Sequence, residues 1–212
     1  MRGMNTAISM WVKIPYTLFV CVLVPVYWVK NGPANFLWGS DIALLVVLFA
    51  LWFENSLAAS MMAVGTLLVE IVWNIDYVVR LIFGVDAISI GGTRYMFDAD
   101  TEIWLRGLSL FHVFLPIVVL YVLHRLGYDR RALKWEIALA WLVLPLSYLI
   151  GSPEENINFV WGFGQEPQSF MPGPMYVASL MILFPVLVFY PTHLVLSRLF
   201  TDASRLRAAS ET

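Results

Sequence analysis

Residues 57–83 read LAASMMAVGTLLVEIVWNIDYVVRLIF and are apolar along most of their length. A transmembrane helix needs about 20 such residues to cross the ~30 Å hydrocarbon core of a bilayer. Transmembrane β-strands would alternate polar and apolar side chains, and runs such as Ile42–Phe53 do not alternate. A helix over 57–83 would reach about 40 Å, so it must tilt or stop early. We expect a spanning helix that ends near Trp73, followed by an amphipathic or re-entrant segment.

Five further stretches are long and apolar enough to cross a bilayer as helices. They are Trp11–Val29, Phe36–Phe53, Ile103–Leu123, Ala132–Ile150 and Met175–Phe200. The sequence therefore predicts an all-α fold, a polytopic bundle of six transmembrane helices, or seven if the stretch at 57–83 splits. We expect one transmembrane domain over residues 1–212.

Composition supports a membrane protein. Hydrophobic residues make up 60% of the 212 residues and charged residues 13%, against about 25% charged in an ordinary soluble domain. Such a composition excludes a soluble enzyme, a disordered regulator and a nucleic-acid binder. The 13 basic and 15 acidic residues nearly cancel, so no strong field would recruit a polyanion. The single cysteine, Cys21, excludes an intramolecular disulfide and a cysteine-cluster metal site.

Basic residues near the predicted helix ends indicate the orientation. Four of them fall in the loop at 125–134, and others lie in the N-terminal and C-terminal tails. We therefore expect both termini in the cytoplasm and a multi-pass protein of the cytoplasmic (inner) membrane. No cleavable signal peptide is expected, since no A-x-A-like site follows the first apolar stretch. The long loops Gly84–Thr101 and Gly151–Pro174 would then lie outside, where they could form a lid.

Ionisable residues within a bilayer are costly and usually face the protein interior. Counted at 1.5 Å per residue, four polar residues reach similar depths in the outer half: Asp41, Glu70, Asn74 and His112. We expect them to line one cavity, with Glu70 as the acid or base and His112 as its partner. A second polar cluster, in the inner half, would contain His193, Glu54 and His124.

Carboxylate and imidazole groups together support three kinds of chemistry: metal binding, proton relay, and acid–base catalysis on an apolar substrate. No H-E-x-x-H, H-x-x-x-H or G-x-S-x-G pattern is present. The sequence therefore predicts no metal site and no cofactor. The plainer interpretation is that these groups only form hydrogen bonds between helices.

Other polar residues are candidates for substrate binding. Asp76 is four residues from Arg80, which favours an ion pair on one helix face, plausibly a local neutralisation. Asn156, Asn158 and Trp161 lie in a loop that could read a polar headgroup, or could belong to an interfacial aromatic belt. His193 follows Pro191, and the plainer interpretation is that it fills the gap beside a proline kink.

Several segments together resemble a family of small, functionally uncharacterised bacterial multi-pass membrane proteins. They are Trp38–Asp41, Trp73–Asp76, Tyr95–Asp98, Ser109–His112, Arg125–Arg131, Asn156–Asn158 and Pro191–His193. The resemblance covers most of the chain. It implies a location in the membrane and supplies no activity. A fainter similarity, to transmembrane terpene cyclases, lacks the ordered motif and carries no residue over.

Three functions fit these observations. The first is a membrane-embedded enzyme or binder whose outer-half pocket takes a lipid-like or small apolar molecule. The second is a small-solute or proton-coupled transporter. The run Val113–Leu123 between two histidines is wholly apolar, which weakens that function. The third is an accessory subunit of a membrane complex. The expected partners are membrane lipids and a small ligand, with no nucleic acid and no identifiable protein partner.

Overall fold

The computed structural model describes residues 8–87, 92–163, 167–200 and 202, and these form an all-helical protein. The α-helices are α1 Met10–Lys30, α2 Gly39–Phe53, α3 Ser56–Phe83, α4 Ile103–Ser109, α5 Phe111–Leu126, α6 Ala132–Ile150, α7 Gly173–Phe184 and α8 Tyr190–Leu199. Short 3₁₀ turns lie at Pro33–Leu37, Thr93–Phe97 and Ile157–Phe159, and a π-helical segment at Pro185–Phe189 joins α7 to α8.

The described helices combine into six rods. The α4 and α5 helices form one apolar span over Ile103–Leu126 that bends at Leu110, and α7, the π segment and α8 form another over Gly173–Leu199. Five rods are long and apolar enough to cross a membrane by length and composition, and α2 is a shorter apolar helix. The predictions of an all-α fold and a multi-pass membrane protein are confirmed.

The third span is one unbroken helix of 28 residues, so the predicted end near Trp73 is wrong. No glycine or proline follows Gly65 within α3, and the polar side chains beyond Trp73 are satisfied without unwinding. Arg80 Nε donates to Asp76 Oδ2 at 3.2 Å, and the turn at 93–97 packs against this part of α3. The charged residues therefore do not end the helix.

Proline causes two other differences from the predictions, one at the start of α2 and one inside the last predicted helix. Pro33 starts a 3₁₀ turn after Gly32, whose φ of 79° favours glycine, so α2 begins at Gly39 rather than Phe36. Pro185 and Pro191 each lack the N–H of a regular helical bond. The chain between them adopts a π-helical segment at 185–189, which is a common local response within a helix.

The α3 helix is the centre of the bundle and packs against α2, α5, α6 and α8. More than half of its apolar window is buried, whereas at most a third is buried in every other described span. Many large apolar side chains on the outer helices are exposed, including Trp11, Leu142 and Ile182. An outer surface of this kind suits hydrocarbon rather than water.

Contacts at the two ends of the bundle fix the helix levels. On what we call the turn side, Glu54 Oε1 accepts hydrogen bonds from Ile8 N at 3.2 Å and Lys13 Nζ at 3.0 Å. On the opposite, loop side, Asn158 Oδ1 accepts from Gly39 N at 3.0 Å. The α2 helix therefore runs antiparallel to α1 and α3, between these two levels.

Candidate functional site

A cavity of about 590 Å³ lies in the centre of the bundle, between α3, α6, the beginnings of α2 and α5, and the π segment. Along α3 it extends from Met62 to Trp73, about 16 Å at 1.5 Å per residue. Its walls are mostly apolar. The buried acidic side chains that line it are Asp41, Glu70 and Glu136, and the half-buried His112 lines it as well.

Asp41 and Glu70 reach the same level because α2 and α3 are antiparallel and joined by the short turn at Glu54 and Asn55. Each lies about 20 Å from that turn, at 1.5 Å per residue. Both side chains line the cavity. The structure therefore brings together three of the four residues expected in one cavity, namely Asp41, Glu70 and His112.

The pair formed by Glu70 and His112 joins α3 to α5. His112 Nδ1 lies 2.8 Å from Glu70 Oε2, within hydrogen-bond distance. The imidazole stacks on the Trp73 ring, with centroids 4.5 Å apart and an angle of 21° between the planes. The bend at Leu110 starts α5 just before His112, which places this side chain at the cavity wall. The ring is thus held by one hydrogen bond and one aromatic face.

Three carboxyl groups in this cavity each have an oxygen without a hydrogen-bond partner among the described residues. They are Asp41 Oδ1, Glu70 Oε1 and Glu136 Oε2. Their residues are only 4%, 1% and 6% exposed. Buried polar atoms are nearly always paired, and an unpaired one is costly. Three such atoms around one cavity indicate a place where a ligand or water supplies donors.

The sequence analysis missed Glu136. It lies about 6 Å from the beginning of α6 and faces α3 at Gly65, where a Cβ atom would overlap the Glu136 carboxylate. Because Glu136 is near the turn side, the cavity is not confined to the outer half, and that expectation is corrected. Glu136 is the only acidic residue within Ala132–Ile150, but the sequence does not show which way its side chain faces.

Both long loops contribute to the cover of the cavity on the loop side. Gly92 and Tyr95 line it from the first loop, and Glu154, Asn156 and Asn158 line it from the second. Hydrogen bonds from its own backbone and from Ser152 lower the pKa of Glu154, so this exposed group is ionised at neutral pH. The mouth of the cavity is therefore negatively charged.

The two asparagines of the second loop use their amide groups within the protein. Asn158 Nδ2 donates to Leu37 O at 2.7 Å and Ser147 Oγ at 2.9 Å, while its Oδ1 accepts from Gly39. Asn156 accepts from Trp161 N and donates to Gly162 O. These bonds hold the loop over the cavity, and both asparagines remain among its lining residues.

The structure places Asn74 and Asp76 outside the cavity lining. Asn74 Nδ2 donates to the carbonyl oxygens of Glu70 and His112, both at 2.8 Å, and so ties α3 to α5 behind the acid–base pair. Asp76 Oδ2 accepts from Arg80, and from Thr93 N at 3.0 Å and Thr93 Oγ1 at 2.6 Å. The expected ion pair on α3 is therefore present.

Trp161 and His193 also lie away from the cavity. The Trp161 ring packs on Tyr148, with centroids 4.5 Å apart. His193 Nδ1 lies 2.6 Å from the Tyr128 hydroxyl, while Glu54 pairs with Lys13 and His124 is exposed. The three residues of the expected inner cluster thus have separate surroundings.

The arrangement has the parts for proton exchange with a molecule in a largely apolar space, namely a carboxyl hydrogen-bonded to an imidazole and a second carboxyl beside it. Among the residues that the structure describes, no group of three or more histidine, cysteine or acidic side chains could hold a metal ion. No protein-family model, no curated protein and no solved structure matches this chain.

Proposed function

We propose that this chain is a membrane protein that binds a lipid-like or small apolar molecule in its central cavity and acts on it with Glu70 and His112. One observation carries the proposal. Glu70 lines a large cavity, and while its Oε2 contacts His112, its Oε1 has no hydrogen-bond partner among the described residues. A group meant only to hold helices together would use both oxygens.

The roles follow from chemistry. Glu70 exchanges a proton with the bound molecule through Oε1, and His112 takes up or returns that proton across the 2.8 Å contact. Asp41 supplies a second acidic group at the same level. Asn74 holds the two backbones in register through its bonds to both carbonyl groups. The apolar walls exclude bulk water and so strengthen these interactions.

The proposed location is the cytoplasmic (inner) membrane of a bacterium, with both termini in the cytoplasm. The basic loop at 125–134 and the basic tails support this orientation. The resemblance to small bacterial membrane proteins supports the same location. In this orientation the acidic mouth at Glu154 faces outward.

Transport is the second candidate, because the cavity reaches Glu136 near the turn side. A transporter would need polar groups that continue to that surface. The inner polar residues expected from the sequence are instead engaged elsewhere: Glu54 with Lys13 and His193 with Tyr128. An accessory subunit would not need a cavity with three unpartnered carboxyl oxygens. The structure therefore favours a binding protein or enzyme.

Photolabelling tests binding. The protein is reconstituted in nanodiscs with a twelve-carbon alcohol that carries a diazirine near mid-chain, and labelled peptides are mapped by mass spectrometry. We expect label on the cavity-facing parts of α3 and α6, and loss of it in Ala140→Phe, which fills the cavity wall. The matched control is Leu142→Phe on the same helix, where the side chain is 65% exposed to the lipid side.

Equal labelling in Ala140→Phe and Leu142→Phe would contradict binding in the cavity. Catalysis is tested by incubating the nanodiscs with a bacterial lipid extract and comparing lipid masses before and after. A product formed by the wild type but not by Glu70→Gln or His112→Asn, both of which still take the label, supports the acid–base roles. The same product from all three would refute those roles.

A further inference from the structure

The titratable side chains around the cavity are mostly acidic. Five acidic residues line it, three of them buried, and His112 is the only side chain among its described lining residues that can carry a positive charge. Two lysines of α1 are paired with acids outside this lining, Lys13 with Glu54 and Lys30 with Glu102. The described lining residues therefore include no lysine or arginine to pair with these acids.

Unpartnered hydrogen-bond acceptors outnumber donors in the lining: three carboxyl oxygens, against one amide nitrogen, Asn35 Nδ2, lack a described partner. An ionised carboxylate accepts hydrogen bonds and donates none. Asp41 Oδ1 and Glu70 Oε1 lie at one level and both lack a described donor. A hydroxyl has one hydrogen to give, a primary ammonium has three, and a quaternary ammonium has none. Two neighbouring acceptors are best met by a single group with several N–H donors and a positive charge.

The walls suit the rest of such a molecule. Trp38, Trp73, Tyr95 and Phe111 line the cavity near the Asp41 and Glu70 level, and aromatic faces attract cations. Farther along, Met62, Leu139 and Val143 form an apolar wall that an alkyl chain would cover. The exposed acids at the mouth, Glu154 and Glu155, favour the approach of a cation.

We propose that the ligand of this cavity is an amphiphile with a primary ammonium group, bound between Asp41 and Glu70 with its chain toward Glu136. The inference rests on the proposed function and adds the headgroup chemistry. Two N–H groups donate to Asp41 Oδ1 and Glu70 Oε1. The aromatic side chains enclose the headgroup, and Glu136 Oε2 accepts from water or from a second donor on the ligand.

The test is competition with the photoreactive alcohol in nanodiscs. Four competitors share a twelve-carbon chain: dodecylammonium, dodecyltrimethylammonium, dodecanol and dodecanoate. Each is compared at the same mole fraction in the bilayer, which removes differences in partitioning. We expect dodecylammonium to block labelling of α3 and α6 at a mole fraction about tenfold lower than dodecanol, the ratio that one charge-assisted hydrogen bond supplies.

Variants show whether the carboxyl groups cause this preference. Asp41→Asn and Glu70→Gln should each cut the ammonium preference by about tenfold, and size-exclusion elution and far-UV circular dichroism report whether each variant is folded. The matched control is Glu102→Gln. Glu102 is an exposed acid paired with Lys30 at 2.6 Å, outside the cavity, so the preference should stay at its wild-type value.

Three results would overturn the proposal: equal competition by dodecanol, equal competition by dodecyltrimethylammonium, or an ammonium preference that survives in both carboxyl variants. In each of them the alcohol label remains in the cavity, and the proposed function stands without the ammonium headgroup. If the label never reaches the cavity in the wild type, the proposed function itself fails. The two ideas therefore fail in different ways.

Discussion

Two carboxyl groups on α3, Glu70 and Asp76, are six residues apart and equally buried, each 1% exposed. Asp76 Oδ2 receives hydrogen bonds from Arg80 and from both the N–H and the hydroxyl of Thr93. Glu70 has one contact, to His112, and an oxygen without a described partner. The partners of a buried acid, rather than its burial, distinguish a group that holds the fold from one that awaits a ligand.

The difference has an energetic reason. Removing a carboxylate from water is costly, and a complete set of donors offsets that cost. Asp76 therefore fastens the turn at 93–97 to α3, and its loss should weaken the fold. In Glu70, Asp41 and Glu136 one carboxyl oxygen has no described donor, so part of the cost of removing the group from water is not offset. Their neutralisation should leave the fold intact and change what the cavity binds.

The largest effect is expected for Asp76→Ala. This change leaves the Arg80 guanidinium, 2% exposed, without its acid, and breaking a buried pair typically costs about 3–5 kcal/mol. The free energy of unfolding, measured by SDS titration in mixed micelles, should fall by that amount. In Asp76→Ala/Arg80→Met, which removes both charges, part of the loss should return. A loss below about 1 kcal/mol would show that Asp76 is not a structural acid.

A smaller loss is expected for Asn158→Ala. The side chain makes three hydrogen bonds, to Leu37, Gly39 and Ser147, each worth about 1 kcal/mol. Its φ of 53° also disfavours alanine. The free energy of unfolding should therefore fall by about 3 kcal/mol, and amide exchange should speed up in the loop around residue 158. Unchanged amide exchange would show that the Asn158 hydrogen bonds do not hold this loop over the cavity.

Gly65→Ala tests whether the Glu136 side chain packs against α3 at Gly65. The new Cβ atom overlaps the Glu136 carboxylate and pushes it from its place, so we expect a loss of about 1–2 kcal/mol from overpacking. Adding Glu136→Ala removes the clash and should recover most of the loss. If the double variant is no more stable than Gly65→Ala alone, the two residues do not share the contact.

The smallest effect is expected for Glu136→Gln, which keeps the shape and removes the charge. Since Glu136 Oε2 has no partner among the described residues, the free energy of unfolding should stay constant or rise by up to about 1 kcal/mol. A fall of more than about 2 kcal/mol would place Glu136 with Asp76, among the acids that hold the fold.

Much of the fold follows from the sequence because five of the six described rods are apolar runs of bilayer length. The meeting of Asp41 and Glu70 also follows, since two helices joined by a short turn place residues equally far from it at one level. The path of the chain beyond Trp73 does not follow. Whether Asp76 breaks the helix depends on Thr93, seventeen residues away, and no local pattern reports that contact.

The site was only partly predictable for a similar reason. Spacing put Asn74 on the face of Glu70, but its amide turns to two backbone carbonyls instead of the cavity. Glu136 stands beside Lys134 at a helix end, where a charge needs no explanation. Only the packing of α6 on Gly65 reveals that it faces inward.

The length of α2 has a consequence for the surrounding lipid. Its 15 residues span about 22 Å, about 8 Å less than a typical hydrocarbon core. The bilayer beside α2 thins to match a helix of this length, which brings the lipid headgroups toward the level of Asp41. A membrane-dissolved ligand therefore reaches this level more easily in thin bilayers than in thick ones, so the acyl-chain length of the host lipid tunes the rate at which it enters.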